Sequence, residues 1–189
     1  MRSLQLEMQW LRQLTHYRLN ACFPSDDPRL LEKMKAVFQN NAFPSAPSLK
    51  KDPSRFAQEI RKLGLSDSER LLVILALYPH IQSNLLDLCL DEKYFGNSLL
   101  GGSKRKQSPG FLPTGQTALF ILAGNDLSQR LEHLPLLEPG HRLFQKGIIE
   151  LGKVQEDEPR IHSHLLISEE YQHLLLLGQA YEPQFNPDF

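Results

Sequence analysis

The chain has 189 residues, enough for one sizeable core, and its 41% apolar and 23% charged residues are those of a folded globular protein, not of a disordered or membrane-embedded one. A net charge of −1 excludes a whole-chain polycation, yet the charge is unevenly placed: residues 1–62 carry 11 lysines and arginines against 6 acids, residues 111–189 carry 5 against 11. The two cysteines, Cys22 and Cys89, have neither metal-binding nor redox-pair spacing, and no run approaches the roughly 18 apolar residues of a membrane span, so a cytoplasmic protein with no membrane partner is expected.

Leu4, Met8, Leu11 and Leu14 fall on one helical face and predict an amphipathic helix over 4–19, with Trp10 on its flank. Asp26-Asp27-Pro28 supplies a cap and first turn for a second helix reaching about Asn40, so residues 1–42 read as a helical hairpin. Pro44, Pro47 and Pro53 mark 43–54 as a linker. Beyond it, Phe56, Ile60 and Leu63 share a face, Gly64 closes that helix, and Ser66 to Glu69 has the spacing of a capping box. The stretch Arg70 to Tyr78 is apolar almost all round and belongs at the centre of a core. After Pro79, a short helix is predicted over Asn84 to Glu92 with Leu85, Leu88 and Cys89 inward. Residues 96–110 form a glycine- and serine-rich loop, mobile at its tip.

Thr114 can cap a helix over Gly115 to Leu122, and Asp126 another through Glu132. The turn Glu138-Pro139-Gly140-His141 then leads into two β-rich runs, Arg142 to Lys153 and Ile161 to Ile167, before a helix from Glu169 to Leu177. Helices followed by a strand-turn-strand give the fold class: mainly α with a small β-wing, a winged helix-turn-helix over 55–178 preceded by the N-terminal hairpin. In that fold Gly115 to Leu122 takes the place of the recognition helix. Residues 179–189, with two prolines and no periodicity, read as a further linker.

Gly147 to Lys153 has the glycine and lysine spacing of a phosphate-binding loop, but it lacks the magnesium-holding Ser/Thr, and Ile148, Ile149 and Leu151 are strand residues. It reads as a wing strand. His162 and His164 would share a strand face, yet no third ligand has a compelling spacing, so they read as polar surface. No nucleophile elbow or catalytic cysteine setting is present, and the paired acids lie in turns or at helix starts. The chain is therefore expected to carry no catalytic, cofactor-binding or metal-ligating residue. For DNA, Gly115 to Gly124 offers no lysine or arginine and only Gln116 and Thr117 as base readers, while Leu119 to Leu122 leave little polar face, so the helix reads as buried or protein-facing. Lys104-Arg105-Lys106 is the one dense cationic cluster, either a solvated loop tip or a contact for an acidic partner or nucleic-acid backbone. Candidate contact residues are thus Lys104, Arg105, Lys106, Gln116 and Thr117.

Several blocks occur in one order: Leu65 to His80, Leu112-Pro-Thr114, Ala118-Leu-Phe120, Leu136 to Gly140, Leu143-Phe144, Gly147 to Leu151 and Leu165 to Gly178. Together they resemble the winged-helix region N-terminal to the ATPase module in a bacterial family of AAA+ proteins, members of which occur with contractile injection systems. The resemblance implies a non-catalytic accessory domain that recognises a protein partner or substrate, or orients the ATPase ring, with self-association through that ring. ATP and magnesium would belong to an ATPase core beyond residue 189, towards which 179–189 would lead. The rival expectation is a DNA-binding winged-helix regulator using the basic first third and the Lys104 to Lys106 loop.

Overall fold

A computed structural model describes residues 2–24, 43–107, 110–153 and 157–178. The predicted helix over 28–40 and the linker at 179–189 lie outside the described residues. The first helix, α1 (Arg2–Cys22), runs longer than its apolar pattern predicts and buries Met8, Trp10, Leu11, Leu14 and Leu19. It packs on the helices Asp67–Leu77 and Gly115–Ala123, so its apolar face closes one side of the main core.

Residues 43–54 have no regular secondary structure, as a linker would, but they are pinned. Leu49 is buried, Trp10 Nε1 donates to Pro44 O at 3.1 Å, and Ser3 and Ser54 hydroxyls meet at 2.8 Å. The α2 helix (Arg55–Leu63) is capped by Ser54, whose hydroxyl accepts from Ala57 N, and ends at Gly64 in the left-handed region (φ 59°). The α3 helix (Asp67–Leu77) opens on the predicted capping box between Ser66 and Glu69, and every side chain from Leu71 to Leu77 is buried. A stretch buried all round has no polar face to give to solvent, which places α3 in the middle of the fold. Pro79 follows it in a 3₁₀ turn, and the Tyr78 hydroxyl donates to Phe111 O at 2.6 Å.

The helix predicted over Asn84 to Glu92 is replaced by turns and a four-residue 3₁₀ segment, Asp87–Leu90. Asp91 competes locally with helical hydrogen bonding by accepting from Lys93 N at 2.9 Å, and Asp87 is turned to a distant partner, accepting from Phe111 N at 3.3 Å. Leu85 and Cys89 still point inward. The glycine-rich stretch after it contains structure as well. Strands β1 (Ser103–Lys104) and β2 (Phe111–Leu112) pair antiparallel, Ser103 opposite Leu112 and Lys104 opposite Phe111. Gly102 (φ 81°) lies so close to the Phe111 ring that an added Cβ would sit 2.1 Å from it, so only glycine admits this hairpin.

Helix α4 (Gly115–Ala123) is capped by Thr114, which accepts from Thr117 N, and all nine of its residues are buried. Helix α5 (Leu127–His133), capped by Asp126, buries none. After the 3₁₀ turn Leu134–Leu137 comes the single-turn α6 (Arg142–Gln145), occupying the start of the first predicted β-rich run. The strands themselves are short: β3 (Ile149–Leu151) and β4 (Leu165–Ile167) pair antiparallel with Ile149 opposite Ile167. Inward Ile149, Leu165 and Ile167 seat this hairpin on α3. The segment before α4 joins its outer edge, through Leu165 N to Pro113 O at 2.9 Å and Gly115 N to Ser163 O at 3.2 Å. Helix α7 (Glu169–Leu177), capped by Ser168 and closed by Gly178, returns to pack on α2. The described residues thus form a mainly helical fold with two small antiparallel hairpins, and none of its helices is long and apolar enough to cross a membrane.

Candidate functional site

Two of the five candidate contact residues face the interior. Gln116 is 4% exposed and Thr117 fully buried. The Thr117 hydroxyl returns the capping interaction by accepting from Thr114 N at 3.1 Å. Gln116 Nε2 donates to Leu99 O at 2.6 Å, and its Oε1 accepts from Arg130 Nη2 at 2.8 Å. Each polar group on α4 is therefore spent inside the fold, as a buried group must be. These two residues are corrected from surface readers to buried ties: α4 is an interior helix, and its uninterrupted apolar run is the sign of that.

The exposed helix is the next one. Leu127 and Leu131, one turn apart on α5, are 71% and 61% exposed. Asp126 holds the start of the helix by accepting from Gln129 N at 3.0 Å. Arg130, its one basic residue apart from His133, turns back to Gln116 and to Gly124 O at 3.2 Å. The outer face is left with two leucines, Ser128, Gln129 and Glu132, and with no arginine or lysine. Sequence reasoning passes over this face because seven residues are too few to show a period; the signal that could have found it is an Asp cap followed by leucines four apart, directly after an all-apolar helix.

The cationic cluster divides. Lys104 and Lys106 are exposed, whereas Arg105 is half-buried and donates from Nη2 to Pro79 O at 2.9 Å. The hairpin carries these residues to the foot of β3 and β4, where Lys153, His162 and His164 lie around the same open cavity of about 780 Å³. His162 sits in a 3₁₀ turn (Arg160–His162) and not on a strand, so the two histidines do not share a strand face. His164 Nε2 is 2.7 Å from Ser103 Oγ and ties the two hairpins together. Among the described residues no group of three or more His, Cys, Asp or Glu is placed to hold a metal ion.

Cys89 is fully buried, and burial pushes its thiol up to about 12, so it does not form a thiolate near neutral pH. Residues 147–153 form a glycine turn and β3, with Ile148 and Ile149 buried, which is the geometry of a strand and not of a phosphate-wrapping loop. No protein-family model, curated protein or solved structure matches this chain.

Proposed function

We propose that residues 55–178 are a winged helix-turn-helix whose contact helix is α5, and that it works as a protein-recognition module without catalysis of its own. The order α3, the 113–114 edge, α4, α5 and the β3–β4 hairpin supports the winged-helix reading, because α4 and α5 then form the helix-turn-helix and the edge segment pairs beside the wing. In that arrangement the recognition position belongs to α5. The observation that carries the function is the composition of its outer face: Leu127 and Leu131 are exposed, and Arg130 is engaged within the fold. A phosphate backbone is met by free arginines and lysines, whereas exposed leucines on a short rigid helix are suited to an apolar patch on a protein.

The ordered blocks that resemble the AAA+ family give the setting: an accessory domain that presents α5 to a partner or substrate of an ATP-driven remodelling protein. Two measurements test this. In the full product of the gene, Leu127→Glu with Leu131→Glu is expected to abolish partner-stimulated ATP turnover and to leave basal turnover unchanged. A reading frame with no ATPase core overturns the AAA+ setting. Tight, steeply salt-dependent binding to random duplex DNA, lost on charge reversal of Lys104, Arg105 and Lys106, overturns the protein-recognition reading in favour of DNA.

A further inference from the structure

The cavity between the β1–β2 hairpin and the foot of the β3–β4 hairpin concentrates positive charge beside the acidic last part of the sequence, residues 111–189. Among the described residues, Lys104, Lys106 and Lys153 line it with His162 and His164, and Glu158 is its one carboxylate. Among the described residues none of the three ammonium groups is engaged in an ion pair or hydrogen bond. Three lysines against one acid among the described residues, brought together from positions some 50 residues apart, create a local field that attracts an anion. The walls carry neutral donors too. Ser103 Oγ and His164 Nε2 face each other at 2.7 Å, and buried Ser163, on the same wall, has a hydroxyl with no partner among the described residues.

The walls are fixed to each other. Gly102 N donates to Thr114 Oγ1 at 3.2 Å, Thr114 bridges to His164, and Ser163 O accepts from Gly115 N. A site whose halves are already tied loses little freedom when a ligand enters. The volume of about 780 Å³ lies within the range of small-molecule sites, roughly 300–1,000 Å³. Lysine is a point-charge partner for phosphate, and several lysines around one concavity match a group carrying more than one negative charge.

We infer that this cavity binds a small soluble molecule bearing a phosphate or polyphosphate group, held by Lys104, Lys106 and Lys153. The site is separate from the α5 face, so a failure to bind pyrophosphate leaves the protein-recognition reading untouched. Calorimetric titration of the protein with pyrophosphate at low ionic strength tests it. One saturable site is expected, weakened about tenfold by Lys104→Gln and by Lys153→Gln, the loss of one charge-assisted contact each, and unchanged by Lys146→Gln, an exposed lysine outside the cavity. In the unaltered protein, pyrophosphate is expected to shift the amide resonances of Gly101, Gly102 and His164 and to leave those of α5 in place. No saturable binding, equal weakening by all three variants, or shifts centred elsewhere would overturn the proposal. So would duplex DNA that binds through the same lysines and is not displaced by pyrophosphate, since the cavity would then be a backbone contact for nucleic acid.

Discussion

Glu7 and Arg70 meet in the interior between α1 and α3, where a charge pair behaves unlike a surface bridge. Arg70 Nε donates to Glu7 Oε1 at 2.8 Å, its Nη2 reaches Pro47 O at 2.6 Å, and its guanidinium lies 5.5 Å from the centre of the Trp10 ring. Glu7 Oε2 has no hydrogen-bond partner among the described residues, and burial raises the carboxyl above its ordinary range despite Arg70. Removing one member strands the other charge, so Arg70→Met is expected to lower unfolding stability by about 3–5 kcal/mol, while Glu7→Leu with Arg70→Met recovers most of it. Urea unfolding of the single and double variants measures both. Glu69 shows the opposite shift: hydrogen bonds from Arg142 and from Ser66 N hold its carboxyl down to about 2 from an ordinary 4.5. A carboxyl depressed by folding contributes stability that is fully present above its unfolded value and is lost as pH falls from about 4.5 through about 2. The melting temperature should fall across that window, and Glu69→Gln should flatten the fall.

At the scale of elements, the sequence carries most where periodicity or a cap is strong. Ser66 and Glu69, Thr114, Asp126 and the all-apolar Leu71 to Leu77 specify their helices locally, and those helices are present. The β1–β2 hairpin is hidden because two-residue strands show no alternation and its turn residues resemble any loop. For α4 the sequence is legible in one respect only. Burial all round is written in Gly115 to Ala123, but which of two consecutive helices faces outward depends on how the β4 edge seats Pro113 and Thr114, a contact between distant segments. The cationic cavity is half visible: Lys104 to Lys106 stand out as a run, whereas Lys153 joins them only through the pairing of the hairpins. These assignments predict contrasting costs on adjacent helices. Phe120→Ala, at a fully buried α4 position, should cost about 3–5 kcal/mol, and Leu131→Ser on α5 less than about 0.5 kcal/mol. Denaturant midpoints of the two variants separate them, and a large loss from Leu131→Ser would mean that α5 packs inward.

The whole molecule is decided by how α1 relates to the rest of the chain. A first helix that packed on no other part of the chain would unfold on its own, with its own midpoint. Instead α1 contributes Leu11 and Leu14, both with no exposed surface, to the same cluster as α3 and α4. Arg18 Nε donates to Ile121 O at 2.8 Å, and a second nitrogen reaches Leu122 O, so α1 also satisfies carbonyls at the end of α4 that the helix leaves unpaired. Burying each large aliphatic side chain contributes about 1.5–3 kcal/mol, and these contacts are shared across the helices and not confined to one segment. One shared core implies one transition. Trp10, the single tryptophan, sits on α1 against Arg70 and the 43–54 segment, so its fluorescence reports α1, while far-ultraviolet circular dichroism reports the helices together. The two denaturation curves are expected to coincide, and Leu14→Ala should move both to lower denaturant together, by about 2–5 kcal/mol. A fluorescence transition that precedes the loss of helicity, or a Leu14→Ala effect confined to the fluorescence, would show that α1 folds as a separate unit.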